Sequence, residues 1–241
     1  MEWDGRMRGL SRELLKSIAA AAMLLDHIGW RFLAFESPLA QLFHTIGRVT
    51  LPIMCFFIAE GYAHTRSRQK YGLRLLLFAL ISQIPFARFQ GTRWYEPPLN
   101  VLFTLLLCFL ALTACEKIQN PILRGLAVIG CITATWWCDW PVTAVLFTLA
   151  FRVFREDAGK RAAAFSAVAL FYVCFSLAAG LSAGAGFGSA LFSNLFTLGV
   201  FLAPVLLSRY NQKEGRFGGL RWGKWFFYLF YPAHLLLLAL L

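Results

Sequence analysis

The chain has 241 residues, enough for one or two domains. Hydrophobic residues make up 59% and charged residues only 15%, with a mean hydropathy of +0.62, where a soluble domain carries about a quarter charged residues. That shortage of charge excludes soluble globular, disordered, collagen-like and disulfide-stapled secreted classes, and it points to an integral membrane protein. The net charge of +11 suggests either a nucleic-acid partner or the basic cytoplasmic loops of a bilayer protein. The placement of the charges separates the two.

Apolar runs predict an all-α, polytopic helical bundle of about nine transmembrane helices, near residues 14–35, 43–63, 72–88, 99–114, 122–137, 140–154, 162–180, 187–207 and 225–241. Several fall short of the roughly 20 residues that cross a hydrocarbon core, which implies local thinning or shelter inside the bundle. The first run follows a basic N-terminus, as a signal peptide does. Its apolar stretch is too long and Asp26-His27 interrupt it, so it is expected to stay in the mature protein. Asp139-Trp140-Pro141 is a tight break that predicts a helical hairpin, and the glycine-rich residues 180–190 predict a flexible outer loop. With no linker or repeat visible, residues 1–241 are expected to form a single domain.

With the N-terminus cytoplasmic, the inner segments 6–16, 66–74, 117–124, 152–161 and 209–224 hold all but four of the 23 Lys and Arg residues. The four are Arg31, Arg48, Arg88 and Arg93. This asymmetry orients the bundle and accounts for the basic charge without nucleic acid. Trp94, Tyr95, Trp136, Trp137 and Trp140 are expected at the outer interface, and Trp222 and Trp225 at the inner one. The six cysteines form no CxxC pair and read as packing residues.

Ionisable groups inside spans cost about 2.5–3.5 kcal/mol each on insertion scales, so they default to functional hypotheses. Asp26 and His27 fall in the middle of the first span, Arg48 and Glu60 in the second, and His234 in the ninth. Counted from the inner helix ends, His27 lies about 17–20 Å deep, Arg48 about 22 Å and His234 roughly 14 Å. Asp26, His27, Arg48 and His234 are therefore expected in one mid-membrane layer, while Glu60 belongs to a cytoplasmic-side group. Adjacent helical residues point about 100° apart, so Asp26 is poorly placed to orient His27. Pairing Asp26 with Arg48 neutralises both charges and leaves His27 facing a cavity as a neutral imidazole, able to act as base or nucleophile. The alternative is a static Asp26–Arg48 bridge, with His27 bonded across helices.

Glu60 and His64 stand at i and i+4 on one helix face. A metal site needs more convergent ligands than this pair, so no metal is expected. Arg66, Arg68, Lys70 and Arg74, with Tyr71 among them, are able to hold a phosphate-rich cytosolic ligand. Composition alone favours an ordinary inner loop. Asn100 follows Pro97-Pro98 at the start of the fourth span, as a helix cap or a cavity-lining group. Tyr231-Pro232-Ala233-His234 breaks the last span, where irregular backbone is expected only against protein or water.

A set of segments in fixed order carries a resemblance. They are Leu15-Lys16-Ser17-Ile18-Ala19 with Met23-Leu24-Leu25-Asp26-His27-Ile28-Gly29, then Ile46-Gly47-Arg48, Pro52, Glu60-Gly61-Tyr62, His64-Thr65-Arg66, Lys70-Tyr71 and Arg74-Leu75. Ser82-Gln83-Ile84-Pro85-Phe86, the run Leu99-Asn100-Val101-Leu102-Phe103-Thr104-Leu105, and Phe227-Tyr228 through Phe230-Tyr231-Pro232-Ala233-His234-Leu235 complete it. In these the chain resembles the TraX family of bacterial membrane proteins, while residues 115–220 resemble it only in hydropathy.

The family's founding member is associated with N-terminal acetylation of conjugative pilin, and the family is similar to a broader set of transmembrane acyltransferases. The resemblance implies a multi-pass acyltransferase of the bacterial inner membrane with acetyl-CoA as donor and no metal. His27 would be the catalytic base or a transient acyl carrier, with Asp26, Arg48 and His234 completing the catalytic layer. His64, Arg66, Lys70, Tyr71 and Arg74 would hold the CoA phosphates, with Glu60, Asn100 and Tyr231 as supporting residues. The acceptor would be an amine or hydroxyl of an envelope protein, such as a pilin N-terminus, or of a glycan. Two other readings stay open: a proton-coupled transporter relaying protons through Asp26, His27 and His234, and a non-catalytic assembly factor that binds a partner's membrane helix. The lack of a duplicated half disfavours repeat-built transporters.

Overall fold

Small polar residues followed by apolar runs start most of the helices. Ser11, Ser37, Ser67, Asn100 and Asn120 each accept a backbone N–H of the turn they precede, and proline follows Ser37 and Asn120 at the first helical position. The computed structural model describes residues 9–213, 215 and 223–241. Arg6, Arg8, Arg216, Arg221 and Trp222 lie outside the described residues, as does the side chain of Lys224. The described residues are all-helical apart from isolated bridges.

Helices cover the predicted spans: α1 (Arg12–Phe32), α2 (Pro38–Gly47), α3 (Thr50–His64), α4 (Arg68–Gln90), α5 (Val101–Lys117), α6 (Pro121–Ala134), α7 (Thr143–Val153), α8 (Ala158–Ser182), α9 (Phe187–Asn194), α10 (Leu202–Ser208) and α11 (Gly223–Leu240). Short 3₁₀ segments follow α6 (Thr135–Trp137) and join α9 to α10 (Leu195–Phe201). Among the described residues four stretches are long and apolar enough to cross a membrane: Pro38–His64, Arg68–Gln90, Ala158–Ser182 and Phe187–Ser208. Pro121–Trp137, Thr143–Val153 and Trp225–Leu240 are apolar but shorter. The second span begins earlier than predicted because Ser37-Pro38 starts it, and it turns at Arg48-Val49 before continuing as α3. The glycine-rich residues 180–190 are mostly helical ends rather than loop. Only 183–186 connect α8 to α9, and Gly184 takes a positive φ there.

The chain divides into two compact units. The first comprises residues up to Ile53 with Val173–Tyr231, and the second comprises Met54–Tyr172 with Pro232–Leu241. In the first, α1 packs along α2, which in turn packs on the 3₁₀ segment. The buried side of α1 is the stripe Leu15, Ala19, Ala22, Asp26 and Gly29, one position per turn. His27 falls beside this stripe and is only half-buried.

In the second unit α5 packs against α4, α6 and α7. The predicted break between α6 and α7 is pinned by neighbours. Leu99 donates to Trp137 O (2.8 Å), Asp139 donates to Leu99 O (2.7 Å), and Val142 donates to Thr135 Oγ1 (2.7 Å). These bonds hold Trp140 and Val142 at positive φ, where a β-branched residue is strained. Trp94, Tyr95, Trp136 and Trp137 are exposed, as interfacial anchors require.

Gly47 makes the α1–α2 approach possible: a Cβ there would overlap the Asp26 Cβ and lie 2.6 Å from its Cγ. Gly47→Ala is expected to cost about 1–3 kcal/mol through overpacking, read as a lowered melting temperature in detergent.

Candidate functional site

Asp26 sits on the apolar stripe of α1, where a lone carboxylate is costly. Its two oxygens have separate partners. Oδ2 accepts from Arg48 Nη2 at 2.7 Å, and Oδ1 lies 2.7 Å from His44 Nδ1. Arg48 ends α2, donates its Nε to His44 O (3.3 Å), and lays its guanidinium 5.1 Å from the Phe196 ring centre. Asp26, His44 and Arg48 are all buried, His44 completely. The predicted Asp26–Arg48 pair thus forms, joined by a histidine that the sequence analysis did not single out. A signal for it existed. His44 and Arg48 stand at i and i+4, and the Ser37-Pro38 start makes a helix in which His44 lies one turn before the C-cap Arg48.

His44 lies in an aromatic box. The ring centroids of Trp30, Phe35 and Phe196 are 4.5, 5.5 and 5.8 Å from its own. Gly29 forms a further wall, where a Cβ would lie 3.0 Å from His44 Cε1. With one nitrogen on Asp26, the other, Nε2, is buried without a hydrogen-bond partner. Trp30 is half exposed and covers the box.

His27 is the next residue of α1 and makes contacts of its own. Tyr231 and His234 are buried one turn apart in α11. Tyr231 belongs to the first unit and His234 to the second.

In the second unit, Tyr71 packs on Phe109 (5.2 Å) and Arg74 lies 5.6 Å from the Tyr71 ring centre. Arg68 pairs with Glu116 and covers Tyr62 at 4.5 Å. The Nε atoms of Arg68 and Arg74 are buried without a hydrogen-bond partner. Arg66 and Lys70 are exposed. His64 Nδ1 donates to Glu60 O (2.9 Å), which leaves Nε2 to accept from Arg155 Nη2 at 3.3 Å. The i, i+4 pair therefore meets through a backbone carbonyl and not through the Glu60 carboxylate. Among the described residues no three His, Cys, Asp or Glu side chains converge as a metal site would need.

Asn100 is a cap. Its Oδ1 accepts from Leu102 N, while its Nδ2 donates to Ala79 O (2.8 Å) and Gln83 Oε1 (2.9 Å). It also ties α5 to α4 in a fully buried setting.

An all-helical chain with membrane-length apolar helices and a buried, charge-compensated polar cluster is a helical membrane protein. The chain belongs to the TraX family, whose model matches residues 11–241. It is 35% identical to a protein named probable fimbrial assembly protein FimC, serogroup H1, of Dichelobacter nodosus, with 93% of each chain covered. It is 27% identical to protein TraX of Escherichia coli, covering 95% of this chain and 86% of that one. An uncharacterised protein of Rickettsia prowazekii is 24% identical over 84% of this chain and 81% of its own. No solved structure matches the chain.

Removing one partner of the Asp26–Arg48 pair leaves the other charge buried alone. Asp26→Asn and Arg48→Met are each expected to cost about 3–5 kcal/mol, and the double substitution less than their sum. Reversible unfolding in mixed micelles checks the cycle.

Proposed function

We propose that this protein is a multi-pass acyltransferase of the bacterial inner membrane, with the N-terminus cytoplasmic and about nine helices crossing the bilayer. It moves an acetyl group from cytosolic acetyl-CoA to an amine or hydroxyl of an envelope acceptor. The observation that carries this reading is the Asp26–Arg48–His44 cluster beside His27, in a chain that matches the TraX family over residues 11–241. A bundle held by packing alone gains nothing from such a cluster, because well-packed apolar residues of similar volume are at least as stable.

Two features support the donor. Tyr71 and Tyr62 hold Arg74 and Arg68 on their ring faces, which pre-orients guanidinium groups for phosphate. Arg66 and Lys70 add exposed positive charge beside them. His27, half-buried next to a neutralised carboxylate, acts as base or as transient acyl carrier. His234 and Tyr231 supply further buried polar groups, and Asn100 and Glu60 support the helices that carry them. The name of the relative in Dichelobacter nodosus, a probable fimbrial assembly protein, favours a fimbrial or pilus subunit as acceptor, with an envelope glycan as the other candidate.

Purified protein incubated with acetyl-CoA is expected to bind it and to release free thiol, and His27→Ala is expected to abolish the release while leaving the protein folded. Replacing Arg66, Lys70 and Arg74 is expected to raise the KM for acetyl-CoA at least tenfold with little change in kcat. Well-folded wild-type protein that neither binds acetyl-CoA nor releases thiol refutes the reading, and proton-coupled flux in proteoliposomes would then favour transport.

A further inference from the structure

We infer that His44, held by Asp26, is the group that takes the proton of the attacking acceptor. The inference rests on the acyltransferase reading and gives the role of base to His44, so that His27 positions the thioester instead of taking the proton or carrying the acyl group.

The geometry begins with charge. Arg48 already compensates Asp26 at 2.7 Å. His44 lies among Trp30, Phe35 and Phe196, and the tautomer that donates to Asp26 Oδ1 carries its hydrogen on Nδ1. That tautomer turns the lone pair of Nε2 away from the carboxylate. Buried nitrogens are normally satisfied, yet Nε2 has no partner and the ring is completely buried. A histidine kept only to anchor Asp26 would need one nitrogen, and an asparagine amide would serve as well. The second nitrogen fits a ligand N–H or O–H.

The surroundings agree. Gly29 keeps one side of the ring clear, since a Cβ there would come 3.4 Å from both nitrogens. Trp30, stacked on Phe35 at 5.2 Å and half exposed, is the wall through which an acceptor enters. It stands in the last turn of α1, as does Arg31, at the end opposite the cytoplasmic N-terminus of the proposed topology. An envelope acceptor arrives from that side.

The acceptor nitrogen or oxygen forms a bond to the acyl carbon, and the carbon–sulfur bond of the thioester breaks. The acceptor proton passes to His44 Nε2 and then to the departing thiolate. Asp26 holds the ring in the required tautomer, and the imidazolium exists only during transfer.

The test uses the whole protein in lipid nanodiscs with acetyl-CoA, and with either a peptide bearing a free α-amine or glucosamine as acceptor. His44→Asn places an amide where Nδ1 donates, so the bond to Asp26 persists while Nε2 is lost. The expected result is a fall in kcat of about 10²–10⁴-fold, with melting temperature and acetyl-CoA affinity unchanged. Added imidazole is expected to restore turnover partly to His44→Gly but not to His27→Gly. Diethyl pyrocarbonate gives a second measurement, because it acylates unprotonated imidazole and needs no acceptor. Mass spectrometry is expected to find the ethoxycarbonyl group on His44.

Transfer by His44→Asn within threefold of wild type overturns the inference while leaving the acyltransferase reading intact. A His44 that stays unmodified while His27 reacts overturns it too, because its nitrogen is then a sealed packing atom. Wild-type protein that releases no thiol from acetyl-CoA refutes the acyltransferase reading itself, and with it the role of base. Modification of His44 would in that case mark a ligand site of other chemistry.

Discussion

A carboxylate placed among apolar side chains has to be neutralised, and Asp26 imposes that requirement on everything around it. Its backbone belongs to α1, but neither of its compensating partners does. Arg48 and His44 come from α2, so the two helices have to run close together at one register. Glycine makes this possible on both sides: Gly29 against the His44 ring, Gly47 against Asp26 itself. The 3₁₀ segment then closes on α2, where Gly199 approaches the Thr45 backbone with no room for a Cβ. From that segment Phe196 covers both Arg48 and His44. One buried charge thus accounts for the glycines, the aromatic cover and the turn after α2.

The second unit holds its arginines on aromatic rings as well as on an acid. Tyr62 of α3 and Tyr71 of α4 both pack against Phe109, and their rings carry Arg68 and Arg74. Cation–π contact restrains a guanidinium, and Arg68 pairs with Glu116 as well. Arg66 and Lys70, by contrast, stay in the open. Neither the tyrosine platforms nor the Arg68–Glu116 pair could be inferred from counting basic residues, because both depend on α5 lying beside α4.

Much of the helix plan was legible in the sequence, since an apolar run of membrane length can satisfy its backbone only as a helix. The departures follow from local signals. Ser37-Pro38 moved the start of the second span earlier in the chain, and helix formation absorbed most of the glycine-rich residues 180–190. The hairpin at Asp139-Trp140-Pro141 was readable, but the donors and acceptors that hold it come from Leu99, Thr104 and Thr135, distant in sequence or across a turn. At the polar cluster, Asp26 and Arg48 found each other because two opposite charges in apolar surroundings have few alternatives. His44 is the second residue of the predicted span 43–63, and nothing in the sequence places it beside Asp26.

Composition and charge order by themselves determined that this is a helical membrane protein, where its helices run, and which charges have to be paired, because those follow from the cost of placing polar groups in an apolar medium. Residue order also carried the family. The tertiary structure decided the rest. It joined His44 to Asp26, boxed its ring with Trp30, Phe35 and Phe196, and left Nε2 without a partner. Such an arrangement depends on which faces of α1, α2 and a distant 3₁₀ segment meet. Side-chain direction on a helix turns by about 100° per residue, so only the packed register chooses between neighbours such as Asp26 and His27.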